Sequence, residues 1–239
     1  MATSIFVGGN SDIAQATLSL ISDKSVVLLT RDPSQLSPTS PNHSVMACDP
    51  CDSQQVNQCF EAITQQHTVD SVVNFCGSIL LKPAAMLTDS EWHNTININL
   101  NTSFYVARAT AKYIKKDCSM VFISTAAASL GLPNHEAIAA AKAGVEGLSR
   151  SYAASYAQQN IRSNVVAPGL IESKLAKAIV GSERGKKLSL SLHGLNRLGQ
   201  PKDVAQLIHW LLQPNNQWMT GETLRIDGGL STVKSYPSS

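Results

Sequence analysis

Long hydrophobic runs are missing from this 239-residue sequence. No stretch approaches the roughly 18 apolar residues that a membrane span requires. The opening residues, MATSIFVGGN, also lack a basic region followed by an apolar signal core. We therefore expect a cytoplasmic protein with no membrane partner.

An excess of either charge is also absent. The chain has 19 lysines and arginines against 17 aspartates and glutamates. A nucleic-acid-binding surface needs a concentrated basic patch, so nucleic acid is not an expected partner. Hydrophobic residues make up 43% of the chain, which excludes general disorder. The length suits one domain, residues 1–239, with a substantial core.

Cysteine is too sparse to suggest a disulfide framework. The five cysteines are an odd number, and a chain of this length needs no covalent staples. Cys48 and Cys51 form a Cys-x-x-Cys motif, but a zinc site would require a second pair of ligands. We interpret the cysteines as reduced thiols and expect no metal.

Short apolar runs rich in β-branched residues alternate with longer stretches of helical period. This rhythm predicts an α/β fold, a Rossmann-like doubly wound parallel sheet with helices on both faces. A helix around Pro201–Leu212 should precede the last strand. The predicted strands are Ser4–Val7, Ser25–Leu29, Ser44–Ala47, Ser71–Asn74, Ser119–Ser124, Arg162–Val166 and Thr223–Ile226.

Two polar stretches fall between or after these elements. Residues 31–43 contain three prolines and several serines, and we predict an exposed connection from the second strand to a helix. Residues 231–239 form a polar tail that is expected to fray.

The first predicted strand runs into the turn Gly8–Ala14, and a helix follows at once. Such a turn brings backbone N–H groups and a helix start against a pyrophosphate, where a side chain would obstruct the closest approach. The candidate cofactor contacts are Gly8, Asn10, Ser11, Asp12 and Ile13. A tight turn without a ligand is the alternative.

Four further segments at strand ends have the order and spacing of a dinucleotide site. They are Asp49 after the third strand, Asn74–Gly77 after the fourth, Pro168–Ser173 after the sixth, and Thr220–Gly229 around the last. With the glycine turn, they make the chain resemble the short-chain dehydrogenase/reductase family over almost its whole length.

The resemblance assigns cofactor roles to these segments. Gly8 matches the family's first glycine, while Asp12 and Ala14 stand where its second and third glycines would be. By resemblance, Asp49 faces the adenine. The remaining implied cofactor contacts are Asn74, Cys76, Gly77, Pro168, Gly169, Ile171 and Ser173.

The end of the second strand indicates the choice of cofactor. A carboxylate there would bind the ribose hydroxyls of NAD and repel a 2′-phosphate. This chain has Thr30 and Arg31 instead, followed by Asp32. Because a guanidinium donates two parallel hydrogen bonds to phosphate oxygens, NADP(H) is favoured over NAD(H).

The family's catalytic set consists of a tyrosine, a lysine four residues later, a serine and an asparagine. The resemblance places the lysine at Lys142, where it also binds the cofactor ribose, the asparagine at Asn99 and the serine position at Thr125. The tyrosine position is Ile138, and an isoleucine cannot transfer a proton. The chain's nearest tyrosine before Lys142 is 29 residues upstream, so none is a ready substitute.

His135 is the candidate replacement acid. It precedes Lys142 by seven residues, the spacing of the tyrosine in divergent enoyl-acyl-carrier-protein reductases, which this stretch resembles. His135 shares a helix face with Ile138 and Lys142 if the helix extends that far. Otherwise it lies in the entry loop, and a solvated histidine without a catalytic role is the alternative.

The resemblance also predicts a substrate lid over residues 171–200, where basic residues outnumber acidic ones. It implies a homodimer or homotetramer formed through two long helices that carry Phe104 and several alanines. The predicted function is an NADP(H)-dependent oxidoreductase acting on a small-molecule carbonyl, alcohol or activated alkene. The loss of the tyrosine leaves two alternatives: a non-catalytic NADP(H)-binding sensor or partner protein, or a non-redox isomerase or lyase.

Overall fold

A seven-stranded parallel sheet forms the centre of the molecule. The computed structural model describes residues 2–36, 38 and 40–234. The strand order is β3-β2-β1-β4-β5-β6-β7, and every pair is parallel. The strands are β1 (Thr3–Val7), β2 (Ser25–Thr30), β3 (His43–Ala47), β4 (Val69–Asn74), β5 (Cys118–Ile123), β6 (Ile161–Pro168) and β7 (Thr223–Ile226).

Helices cover both faces of this sheet. One core cluster joins the strands to α2, α4 and α5, and the other joins them to α1 and α8. The helices are α1 (Asp12–Leu18), α2 (Ser53–Gln66), α3 (Asp89–Ile96), α4 (Thr102–Tyr113), α5 (Glu136–Tyr156), α6 (Lys177–Val180), α7 (Glu183–Leu192) and α8 (Pro201–Leu212). None of those in the described ranges is both long and apolar enough to cross a membrane. The predicted doubly wound fold is confirmed.

Strand burial explains why the apolar runs were continuous rather than alternating. All five residues of β1 and all eight of β6 are buried, because helices pack on both sides of each strand. The observed strands contain the predicted ones or differ from them by a residue at an end.

The predicted connection over residues 31–43 leads directly to β3, and the prediction that it leads to a helix was wrong. Among the described residues between β2 and β3, the helical structure is a single 3₁₀ turn, Pro33–Gln35, capped by the Asp32 carboxylate. Three prolines within nine residues cannot sustain an α-helix, because each removes a backbone donor. Ser37 and Thr39 of this segment, and residues 235–239 of the predicted tail, lie outside the described residues.

The order of strands reverses between β1 and β4, which opens a crevice at their carboxyl ends. The segment predicted as the lid begins and ends beside this crevice. Ile171 pairs with Gly199 in a parallel bridge, and Glu172 N–H donates to the Gly199 carbonyl at 2.8 Å. The segment between them, which includes α6 and α7, is therefore an excursion from the sheet whose two ends lie side by side.

Candidate active site

A cavity of about 630 Å³ occupies the crevice. It is walled by the β1–α1 turn, the loops after β4, β5 and β6, the start of α5 and the lid. Fourteen of the residues predicted from the sequence line it: Asn10, Ser11, Asp12, Ile13, Cys76, Gly77, Asn99, Thr125, His135, Lys142, Pro168, Gly169, Ile171 and Ser173.

The β1–α1 turn depends on glycine at its first position. Gly8 has a φ of 77°, and a Cβ there would lie 3.1 Å from Cys76 Sγ. The glycine therefore allows the β1 and β4 loops to pack against each other. Ser11 begins α1, where its hydroxyl accepts the Ala14 N–H at 3.1 Å. Gly8 itself lies beneath the cavity rather than on its wall.

The residues predicted for the adenosine end lie off the cavity wall, at the ends of β2 and β3. Thr30 is buried, and its Oγ1 has no hydrogen-bond partner among the described residues. Arg31 next to it is exposed. Asp49 accepts the Cys51 N–H at 3.0 Å. A buried hydroxyl without a partner among the described residues, next to an exposed guanidinium, fits a site that a ligand completes.

Asn74 was predicted as a cofactor contact, but the structure places it behind the cavity. Its Nδ2 donates to Ser103 Oγ at 3.1 Å and to Thr102 Oγ1 at 3.4 Å, and its Oδ1 accepts the Cys76 N–H. Asn74 thus fixes the end of β4 against α4 and shapes the loop that carries Gly77. A Cβ at Gly77 would lie 3.3 Å from Asn99 Oδ1.

Lys142 is the most deeply buried cation at the site, with 4% of its surface exposed. Its Nζ donates to the Ile123 carbonyl at 2.8 Å and to the Cys76 carbonyl at 3.3 Å. Burial lowers the pKa of this amine to about 8. Since an ammonium has three donors, one remains for a ligand in the cavity.

Asn99 lies in a π-helical turn, Asn97–Asn101, which interrupts the long helix between α3 and α4. Its Nδ2 donates to Ser78 Oγ at 2.9 Å and to the Thr95 carbonyl at 3.0 Å, and its Oδ1 accepts the Ser78 N–H. Such turns occur often at functional sites because they redirect a side chain. Ser78, which the sequence analysis missed, is therefore the residue that orients Asn99.

Two hydroxyls follow β5, and their partners distinguish them. Ser124 is buried and donates to Glu146 Oε1 at 2.7 Å. Thr125 accepts the Ala127 N–H at 3.3 Å through its oxygen. The Thr125 hydroxyl proton remains available to the cavity, whereas that of Ser124 is already used.

The start of α5 decides between the two placements considered for His135. The helix begins at Glu136, and the His135 carbonyl accepts the Ala139 N–H at 2.8 Å, so His135 is the N-cap at the end of the entry loop. Its Nδ1 lies 2.7 Å from the Pro133 carbonyl. The ring nevertheless lines the cavity with Ile138 and Lys142, and no tyrosine of the described chain does.

The lid supplies an apolar wall that the sequence did not reveal. Its contributing residues are Leu175, Ile179, Leu188 and Leu192, opposite Ile79, Leu81 and Leu132. Three of the basic residues seen in the sequence, Lys174, Lys177 and Lys186, line a smaller neighbouring cavity of about 310 Å³, and Lys174 also lines the main cavity. The inner face of the lid is therefore mainly apolar and its outer face basic.

His193, also missed, joins the lid to the loop after β6. Its Nε2 accepts the Leu170 N–H at 3.2 Å, and its Nδ1 donates to the Ser189 carbonyl at 2.7 Å. These two partners together require the neutral ring protonated at Nδ1. A Cβ on Gly169 would lie 2.8 Å from Nε2, so the glycine is what allows this contact.

The described residues contain no group of three or more histidine, cysteine or acidic side chains arranged to hold a metal. The five cysteines are free thiols, with Cys48 buried and Cys51 half-buried. The Cys-x-x-Cys motif belongs to the β3–α2 connection.

Comparison with known proteins agrees with this architecture. A family model described as enoyl-(acyl carrier protein) reductase matches residues 20–231. The chain belongs to the short-chain dehydrogenase/reductase family of oxidoreductases, and the resemblance inferred from its motifs is confirmed.

Individual relatives and solved structures share 25% to 32% sequence identity with this chain. A 3-oxoacyl-[acyl-carrier-protein] reductase from Thermotoga maritima is 32% identical over 182 residues, covering 75% of this chain and 73% of that protein. A short-chain dehydrogenase/reductase from Brucella melitensis is 26% identical, with a TM-score of 0.90 and 97% coverage of both chains. The structure of ElxO with NADP bound is 25% identical, with a TM-score of 0.89, covering 96% of this chain and 98% of that one.

Proposed function

We propose that this chain is an NADP(H)-dependent oxidoreductase that acts on a carbonyl, an alcohol or an activated alkene in an atypical active site. The observation that carries the proposal is the position of Lys142: buried, held by two backbone carbonyls, and on the wall of the same cavity as Thr125 and the β1–α1 turn. The Thermotoga relative, named as a reductase of a 3-oxoacyl group, supports carbonyl chemistry.

The nicotinamide, when bound, supplies the hydride. The Thr125 hydroxyl donates a hydrogen bond to the substrate oxygen and stabilises negative charge that develops there. The remaining Lys142 N–H binds the ribose. Asn99 and Ser78 hold the loop after β4, whose Cys76 carbonyl accepts a hydrogen bond from Lys142.

His135 is the proposed proton donor. Its Nδ1–H donates to the Pro133 carbonyl and fixes the ring, so that the protonated imidazole presents Nε2–H to the cavity. Transfer of that proton to the substrate oxygen leaves a neutral ring, which solvent reprotonates. The half-buried position of His135 allows this exchange.

The proposed cofactor is NADP(H) rather than NAD(H). Arg31 is exposed at the end of β2, and no carboxylate occupies the Thr30 or Arg31 position to repel a 2′-phosphate. ElxO, a structural neighbour, has been solved with NADP bound. The free thiols of the chain suit a reducing compartment, and the cytoplasm is the proposed location.

The experiment has two stages. First, NADPH, NADP⁺ and NADH are titrated against the protein by fluorescence and calorimetry, with Lys142→Met as the control that removes the ribose contact. Second, NADPH oxidation is followed across a panel of ketones, aldehydes and enones with apolar bodies. Tight NADPH binding, weakened in the variant, and turnover of at least one carbonyl are expected. Binding without turnover on a broad panel counts against an oxidoreductase.

Two alternative functions are favoured by one observation, the burial of Ile138 at 5% exposure where a proton donor would stand. A dinucleotide-binding sensor or partner protein would bind NADPH without oxidising it. An isomerase or lyase would form product with no change in NADPH absorbance. The same panel, monitored by mass spectrometry as well as absorbance, separates the three functions.

A further inference from the structure

Asp12 of the β1–α1 turn and Lys174 of the lid are in direct contact. The Lys174 N–H donates to Asp12 Oδ2 at 2.6 Å, and its Nζ lies 3.6 Å from Asp12 Oδ1. The two residues are 162 positions apart in sequence, and both line the main cavity. The contact therefore joins the cofactor turn to the start of the lid.

Asp12 takes the place of the second glycine in the family's pyrophosphate-binding turn, so its carboxylate adds negative charge beside the expected pyrophosphate. Like charges held a few ångströms apart at a partly buried site repel each other, and Asp12 retains only 23% exposure of its side chain. A turn with this carboxylate unpaired would oppose cofactor binding. The Lys174 side chain is 88% exposed, so its ammonium can face both the carboxylate and an incoming phosphate.

We propose that Lys174 is a cofactor-positioning residue: its ammonium offsets the charge of Asp12 and so allows an anionic dinucleotide to bind at this turn while the lid is in place. The inference rests on the proposed function. Ordinary exposed ion pairs contribute little to stability, so the effect is expected in cofactor affinity rather than in folding.

The chain offers variants that separate charge from backbone contact. Lys174→Met removes the ammonium but keeps the N–H that bonds to Asp12. Asp12→Asn removes the negative charge but keeps an oxygen acceptor for that N–H. Lys177→Met is the matched control, because it removes the same charge from the same lid segment at a residue that lines only the neighbouring cavity.

The experiment measures the NADPH dissociation constant of each variant by fluorescence at about 0.05 M and 0.5 M salt. We expect Lys174→Met to weaken binding about tenfold at low salt and much less at high salt. Lys177→Met should change the NADPH dissociation constant less than about twofold, and Lys174→Arg should retain wild-type affinity. In the Asp12→Asn background, adding Lys174→Met should weaken NADPH binding less than about threefold, because the carboxylate charge that Lys174 offsets is gone.

Equal effects of Lys174→Met and Lys177→Met on NADPH affinity would overturn the inference, because any positive charge on the lid would then act alike. An undiminished effect of Lys174→Met in the Asp12→Asn background would also overturn it. Failure of the wild-type protein to bind NADPH or NADP⁺ at all would overturn the proposed function together with the inference. A wild-type protein that binds, with variants that do not follow the pattern, refutes the inference alone.

Discussion

Ile138 lies one helical turn before Lys142 on α5, and both side chains line the same cavity. The buried amine thus has a hydrocarbon neighbour where the family places a phenol. Under the proposed function, the other parts for hydride transfer are the Thr125 hydroxyl, the anchored Asn99 and the remaining donor of Lys142. What the site lacks is a proton donor on the helix itself.

Restoring the phenol tests whether the rest of the site is competent. Ile138→Tyr places a hydroxyl one turn from a cationic amine, which favours the phenolate and assists proton transfer. We expect NADPH-dependent carbonyl reduction to rise at least several-fold. The comparison is with Ile138→Phe, which adds the same ring without the hydroxyl. Equal activities of the two variants, both folded and binding NADPH, would show that the pocket serves other chemistry.

His135→Ala tests the replacement acid. Loss of a positioned acid is expected to lower turnover by about 10²–10⁴ while leaving NADPH affinity nearly unchanged. The reason is that the ring lines the cavity, and the hydrogen bond that its side chain makes within the described residues goes to the Pro133 carbonyl. Glu136→Ala is the adjacent control. A His135→Ala variant with wild-type turnover would indicate that solvent supplies the proton.

Lys142→Met is expected to change how stability depends on pH. Burial lowers the pKa of the Lys142 amine to about 8, so the unfolded chain binds more protons than the folded one between about pH 8 and the ordinary value of 10.5. The wild-type protein therefore gains stability relative to the variant as pH rises through this window, by up to about 3 kcal/mol. Below pH 8 the difference should be constant. Urea unfolding at pH 7, 8, 9 and 10 measures it, and a difference that stays flat to pH 10 would contradict the assignment.

His193→Leu should loosen the lid. The substitution leaves the Leu170 N–H and the Ser189 carbonyl without their partners, which costs about 1–3 kcal/mol when such groups stay buried. Faster proteolytic cleavage within residues 171–199 and a raised KM for the carbonyl substrate are expected. His93→Leu, an exposed position on α3, is the control and should be nearly neutral. Unchanged cleavage in His193→Leu would argue against this tie.

A homodimer or homotetramer is the expected assembly, and Phe104 on α4 offers a test. The side chain is 45% exposed, and the Arg108 guanidinium lies 5.2 Å from its ring centroid. Ala140, Ala143 and Ala154 of α5 are also exposed, whereas Ala107 and Ala153 are buried within the subunit. Light scattering should return a multiple of 25.6 kDa, and Phe104→Glu should reduce it towards one subunit. A monomeric wild-type protein at micromolar concentration would refute the assembly.

The sequence predicted the sheet well because strands buried on both faces leave continuous apolar runs, and each turn after β1, β4 and β6 has its own glycine. Its three prolines predicted the connection after β2, but this connection leads to β3 rather than to the expected helix. The roles of Asn74, Ser78 and His193 were out of reach for another reason. Each depends on a hydrogen bond to a residue at least 21 positions away, and no local pattern records such a bond.

The hydrogen-bonded ends of the lid have a consequence for how the protein can evolve. Ile171 and Gly199 form a β-bridge, so the two ends of the segment between them stay together. The length and composition of that segment can therefore change without disturbing the sheet. The apolar wall of the cavity comes from Leu175 to Leu192 within this segment, so the shape of the cavity can diversify while Ser173, Lys174 and His193 are kept. Transplanting residues 175–192 from a relative is the corresponding engineering route.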